Sequence, residues 1–536
     1  MAGHSLRARQ PAGAAGRAEP THDPDLLASY LADAAHFSGG HASGLVAPAN
    51  EAELAEVLRR SRTVLAVGAQ SSLTGGATPM GETIVSTRRL TGIDLIGADR
   101  VRVGAGVTLE ALNRALESAG RLYPPSPTFS GAFIGGTVAT NAAGAATFKY
   151  GTTRDWVEAI TVVLPSGDVL DIERGATRAT SDGRFELELA AGPTRVPVPT
   201  YQMPKVAKLS AGYFAAPGMD LIDLFIGSEG TLGIVTAVTL RVLAVRPAMC
   251  AALVPLSTET AALTLARSLR DAARETWRTR NPRGVDVAAI EYMDERSLSI
   301  AREDRADVVN HVRLPPGVGA ALLVTLELPA GTDAAAAFDQ IGRARDANRP
   351  DAPLVKFCGL LAAAGAFDDV EIAVPGDGVR MSQLVAVREA VPAGVNQRVG
   401  RAKRDADAAI EKAAADVAVP FDRLEELLAA VRAHASRRGL DLAVWGHVSD
   451  GNLHPNVIAQ TREQWLAAGE VVADLGRMAI RVGGAPMAEH GVGRNLIKQR
   501  LLRELYSEAG VDQMRAVKRA IDPEWKLSPG VLFQQV

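Results

Sequence analysis

Residues 66–81 read AVGAQSSLTGGATPMG, residues 124–157 read PPSPTFSGAFIGGTVATNAAGAATFKYGTTRDWV, and residues 227–236 read GSEGTLGIVT. Each stretch carries more glycine than a single turn needs, and the first directly follows a β-like run. Successive backbone N–H groups in such a loop can converge on a phosphate without help from a lysine. Taken singly, each stretch could equally be a set of tight turns. The familiar nucleotide loops are missing. Gly104-Ala105-Gly106 begins like a dinucleotide fingerprint, but Leu109 stands where the third glycine belongs. No glycine run ends in Gly-Lys-Ser or Gly-Lys-Thr, which removes the P-loop.

Working outward, short β-like runs at residues 63–67, 83–86 and 101–103 alternate with helical patterns. Asn50 precedes Glu53 by three, a capping-box spacing, and Leu54, Val57 and Leu58 mark one helical face. Thr108 is a second expected N-cap, with Leu109, Leu112 and Leu116 facing inward and Gly120 as the stop. Strand, glycine loop, strand and helix recur to about Val245. Residues 171–208 are irregular and read as an exposed excursion. After Arg246-Pro247, helices expected over 259–276, 333–348 and 421–438 alternate with strands over 321–328 and 440–445, a second α+β pattern. Helices over 463–482 and 494–507 complete the chain.

At 536 residues the chain has room for two large domains. A net charge of −3 argues against a broad electrostatic grip on nucleic acid. Two cysteines, Cys250 and Cys358, are too few for a disulfide framework or for a four-thiolate iron–sulfur cluster. No apolar run has the length of a membrane span. The first eighteen residues are Arg-bearing and acid-poor, a composition that transit peptides share with disordered leaders. The expectation is a partly disordered leader over residues 1–46.

A second constellation lies near the other end. HVSDGNLHPN, residues 447–456, follows an apolar strand and turns at Asp450-Gly451-Asn452. A hairpin there sets His447 and His454 on neighbouring strands, and Glu489 in MAEHGVG offers a third ligand. Two imidazoles and a carboxylate suit Zn(II), Mn(II) or Fe(II) with positions left open; paired histidines can also be structural. Arg388, in VREAVP at the end of an amphipathic helix, offers a planar fork for a carboxylate. Lys403 follows fifteen residues later, and Asn456 fits a supporting or substrate-contact role.

In order and spacing, the three glycine segments resemble the FAD-binding domain of vanillyl-alcohol-oxidase-type flavoproteins. Together with the histidine segments, they resemble the branch of D-lactate dehydrogenases, glycolate oxidase catalytic subunits and D-2-hydroxyglutarate dehydrogenases, over about residues 47–530. The resemblance implies an α+β protein: a two-subdomain FAD-binding domain over 47–245, an α+β cap (substrate) domain over 246–491, and C-terminal helices and tail over 492–536 returning to the FAD domain. It implies that Gly68, Ala69, Gln70, Ser71, Ser72 and Gly75 cradle the FAD pyrophosphate. Pro125, Gly135, Gly136, Ala139, Asn141, Ala142, Gly144, Tyr150 and Gly151 then line the isoalloxazine and ribityl side. Glu229, Gly230, Gly233, Ile234 and Val235 adjoin the adenine half. Relatives with covalent FAD place a histidine in the first loop; Gln70-Ser71 offers none, so FAD is expected to be non-covalent.

The same resemblance implies a divalent metal on His447, His454 and Glu489, with His490 as base and Arg388 and Lys403 as substrate-binding cations. The family's usual Tyr-Lys-Tyr-Asp is replaced around Lys403 by Ala402-Lys403-Arg404-Asp405. Ser528 replaces the asparagine of its terminal Asn-Pro-Gly turn. The implied reaction oxidises a small D-2-hydroxy acid to the 2-oxo acid and passes electrons to a cytochrome, a quinone or an electron-transfer flavoprotein. Two alternatives share the architecture: a transferase of the alkylglycerone-phosphate synthase type, and a non-catalytic FAD subunit of a glycolate oxidase complex. The expected setting is cytoplasmic, with peripheral membrane association and a homodimer both compatible.

Overall fold

The computed structural model describes residues 5–13, 16, 18–125, 127–344 and 351–535. Parts of the expected leader and the end of the helix expected over 333–348 lie outside them. The chain divides into two units. The first comprises Met1–Gly144, Gly151–Ala244 and Ala485–Val536; the second comprises Ala145–Tyr150 and Val245–Gly484.

In the first unit, Gly44–Val46, Thr83–Ser86 and Val64–Val67 form a parallel three-stranded sheet in that order. The Glu51–Arg60 helix connects the two outer strands. Asn50 caps it by accepting from the Glu53 N–H at 2.9 Å, and Glu53 reaches back to the Ala49 N–H at 2.8 Å. Its Leu54, Val57 and Leu58 pack under Val46, Val64 and Val85. A five-stranded sheet runs Ile93–Ile96, Arg100–Gly104, Ile234–Arg241, Val157–Val163, Val169–Glu173, all antiparallel. The irregular excursion contains a hairpin, Arg184–Leu189 with Gly192–Pro197, and Leu6–Arg7 from the leader pairs with its first strand.

The C-terminal helical segment, Leu496–Ile521, is broken at Ser507, and its second part carries a buried anchor. Lys518, 1% exposed, donates from Nζ to the Thr231 carbonyl at 2.6 Å and the Leu527 carbonyl at 2.8 Å, and pairs with Asp522. Burial lowers the Lys518 ammonium to about 8, opposed by the attraction of Asp522. Lys518→Met would leave the fully buried Asp522 carboxylate without its cation, a loss of about 3–5 kcal/mol. Urea unfolding should therefore show a lowered midpoint with an unchanged slope; an unchanged midpoint would refute the anchor.

The second unit is built on an eight-stranded sheet. Its order is Glu371–Ala373, Ala248–Leu256, Ala320–Leu328, Val287–Asp294, Leu442–His447, Asn452–Val457, Ala413–Ala414, with Val417–Ala418 also on Asn452–Val457. The Gly378–Asp405 helix covers one face. Sequence reading ends a helix near Pro392, yet this helix runs through it. Proline removes one backbone hydrogen bond and disfavours a helix interior by about 3 kcal/mol. Leu384, Val387, Val391, Val395 and Val399, spaced by threes and fours, are buried on that face and outweigh the loss. Among the described residues, no helix is long and apolar enough to cross a membrane.

Candidate active site

Two groups of polar side chains emerge, one in each unit. In the first unit a cleft open to solvent is walled by the first two glycine segments and by residues 228–235. Gly68, Ala69, Gln70, Ser71, Ser72, Gly135, Gly136, Ala139, Ala142, Glu229, Gly230, Gly233, Ile234 and Val235 all line it. Gly75, Pro125, Asn141, Gly144, Tyr150 and Gly151 do not. Three of these have visible jobs elsewhere. A Cβ on Gly75, at φ +75°, would strike Phe37. Asn141 Oδ1 accepts from the Arg154 N–H at 2.9 Å. Tyr150 belongs to the second unit, where its hydroxyl donates to Glu327 at 2.6 Å. Sequence reading missed Phe129 and Phe133, which also line the cleft.

The walls fit a dinucleotide-sized cofactor. Among the described residues, the amides of Ala69 to Ser72 donate to no backbone or side-chain acceptor of the chain, so the loop presents a row of free N–H groups. Gln70 lies in the left-handed region at φ 56°, as such a nest requires. A Cβ on Gly136 would meet nothing within 4 Å, leaving flat, unobstructed wall. A Cβ on Gly135 would sit 2.7 Å from that of Ala105, so the backbone there is packed as closely as glycine allows. Ser528 Oγ donates to the Gly230 carbonyl at 3.2 Å, which ties the C-terminal tail to this wall.

Three ionisable groups meet the same cleft. Glu229, fixed at φ 53°, accepts from the Val492 and Gly493 N–H groups at 2.8 Å each. Burial pushes its carboxyl up to about 7 against those two bonds. Glu489 and His490 also line the cleft, with His490 Nε2 3.6 Å from Glu489 Oε1. Lys208, fully buried, donates to Glu489 Oε2 at 3.0 Å. Lys208 sits in the stretch read only as an excursion. Its partner is 281 residues away, so no local pattern marks it.

In the second unit the hairpin forms as expected. Leu442–His447 pairs with Asn452–Val457, and Trp445 lies opposite His454. The His447 and His454 rings stand edge to face with centroids 5.4 Å apart. Both are buried, at 2% and 5% exposure. His454 Nδ1 is 3.5 Å from Asp416 Oδ1, and Asn452 Nδ2 donates to that oxygen at 3.1 Å. His447 Nδ1 contacts Glu291 Oε1. Asn456 donates to the His454 carbonyl at 2.9 Å, and its buried Oδ1 has no hydrogen-bond partner among the described residues.

Arg388 is 7% exposed and donates from Nε to Glu291 Oε2 at 2.7 Å. Lys403 does not join it. Fifteen residues along the same helix separate the two by about 22 Å of axial rise, too far to share one carboxylate. A different lysine comes forward. Lys412 directly precedes Ala413–Ala414, and Ala414 pairs with Asn456. Strand alternation sets Lys412, Ala414 and Asp416 on one face, that of Asn456 and His454. Burial lowers the Lys412 ammonium to about 8.

Two family models match the chain. One, described as FAD linked oxidases, C-terminal domain, covers residues 256–532. The other, described as FAD binding domain, covers residues 42–173. Among curated proteins, D-lactate dehydrogenase of Archaeoglobus fulgidus is 27% identical over 499 residues, 92% of this chain and 91% of that one. Glycolate oxidase subunit GlcD of Bacillus subtilis is 27% identical, covering 91% and 88%. D-2-hydroxyglutarate dehydrogenase of Xanthomonas citri pv. viticola is 28% identical, covering 88% and 84%. Among solved structures, an alkyldihydroxyacetonephosphate synthase aligns over 99% of this chain and 90% of its own, with TM-score 0.59 and 13% identity, a likeness of fold.

Proposed function

The chain belongs to the FAD-linked oxidase family, and from that premise we propose that it oxidises a D-2-hydroxy acid to the 2-oxo acid. That it is an FAD-linked oxidoreductase follows from the family; the substrate class, the metal and the roles below are our reading. What supports it is a cleft bearing Glu489 and His490 in the first unit and, in the second, a buried histidine pair beside an arginine.

Residues 68–72 with Gly135, Gly136, Ala139 and Ala142 would hold FAD non-covalently, and the flavin supplies a hydride acceptor when bound. We assign His447, His454 and Glu489 as ligands of one divalent ion, Zn(II), Mn(II) or Fe(II), which supplies a Lewis acid when bound. His490 accepts the substrate hydroxyl proton as general base. Arg388 holds the substrate carboxylate through its Nη atoms, which make no hydrogen bond within the chain among the described residues. Lys412, rather than Lys403, is the second cation we assign to the substrate side, with Asn456 Oδ1 as a nearby acceptor. The two electrons pass on to a separate acceptor, a cytochrome, a quinone or an electron-transfer flavoprotein.

The transferase alternative rests on fold likeness alone. The non-catalytic alternative would leave the buried histidine pair and His490 without work to do.

Arg388→Ala tests the clamp. Loss of a buried charge-assisted pair corresponds to about 1.5–3 kcal/mol, a roughly ten- to 150-fold rise in KM for the acid. The methyl ester of the acid should be a poor substrate for the parent and suffer little further loss in the variant. Equal losses for acid and ester would place Arg388 outside the carboxylate site.

A further inference from the structure

Resting on the metal and clamp roles above, we propose that Glu291 is a positioning residue that orients the metal ligand His447 and the carboxylate clamp Arg388 together. Glu291 lies mid-strand in Val287–Asp294, with His447 as its register partner on the next strand. It is 7% exposed. Its same-face neighbours Met293 and Leu323 belong to the apolar core under the Gly378–Asp405 helix. An apolar side chain would fit this position at lower cost, because a buried carboxylate must be compensated by partners. Two of its partners are site residues. Oε2 accepts from Arg388 Nε at 2.7 Å, and Oε1 takes the contact of His447 Nδ1.

Each contact fixes a direction. A carboxylate at Nδ1 holds the proton on that nitrogen and leaves Nε2 of His447 as the ligand atom. The bond from Nε of Arg388 turns the guanidinium so that the Nη edge remains for a ligand carboxylate. One carboxylate therefore sets both the ion's imidazole and the acid's fork. The sequence carries a faint sign of it: a lone acid inside the apolar run VAAIEYM.

The inference predicts one lesion with two readouts. Glutamine has a single acceptor oxygen, so in Glu291→Gln it can serve Arg388 or His447 but not both. Chelator-stripped, FAD-bound enzyme is titrated with Zn(II) alone by equilibrium dialysis, and KM for the acid is measured after reloading. Glu291→Gln should raise the Zn(II) Kd about 10–100-fold and raise KM, with parent-like FAD content and with activity recovering at high free Zn(II). A parent-like Kd and KM would overturn the proposal. Should that variant not fold, Glu291→Asp, which keeps the charge and shortens the reach, carries the same expectation and the same refutation. His454→Ala separates the two levels. If the parent binds Zn(II), His454→Ala loses it and Glu291→Gln is unchanged, only the positioning role falls. If the parent binds no Zn(II), the metal reading falls and the inference with it.

Discussion

Replacing His490 by asparagine should lower kcat by about 10²–10⁴-fold while changing KM little. Asparagine keeps a polar group of similar size and can still form hydrogen bonds, but it cannot take a proton near neutral pH. His490 is three-quarters buried, lines the cofactor cleft and lies 3.6 Å from Glu489. A loss confined to kcat marks an interaction that exists only as the proton moves; a loss in KM alone would mark ordinary binding. Steady-state kinetics of the purified, FAD-loaded variant decide between them. A variant with parent-like kcat would move the base elsewhere, with Glu229 next to be tested because burial already lifts its carboxyl to about 7.

Removing the metal should have an effect of similar size. Chelation should abolish most turnover, and one divalent ion should restore it. His454→Ala should reproduce the loss without disturbing FAD content. The two belong to different units: His454 sits on the sheet of the second, whereas the cleft walls belong to the first. Metal analysis alongside activity gives the check. Chelated, metal-free enzyme with full activity would reduce the histidine pair to a structural feature of the hairpin.

Much of this was legible in the sequence because its signals are local. The Asn50 and Thr108 caps, the glycine loops and the His447–His454 hairpin depend on residues within a few positions of one another, and the structure forms each of them. What was not legible depends on distance along the chain. Glu291 gains its partners from positions 97 and 156 residues away, and Lys208 from 281 away. The resemblance implies Lys403 as a substrate-binding cation although Ala402 and Arg404 beside it depart from the family's motif, and the long helix carries it about 22 Å of axial rise from Arg388. The same helix passes Pro392 because packing outweighs a local preference. The resemblance implies Tyr150 on the cofactor side, and its hydroxyl bonds Glu327, a residue 177 positions away in the second unit.

The most direct test of the central claim is an anaerobic half-reaction. Purified protein is loaded with FAD, freed of excess and mixed, without any electron acceptor, with D-lactate, L-lactate, glycolate or D-2-hydroxyglutarate. The account predicts a yellow protein whose flavin is released by acid precipitation and whose oxidised absorbance is bleached by at least one acid of this set but not by L-lactate, with the 2-oxo acid formed in equal amount. A protein that takes up no FAD, or a bound flavin that stays oxidised with every acid of the set, would contradict it.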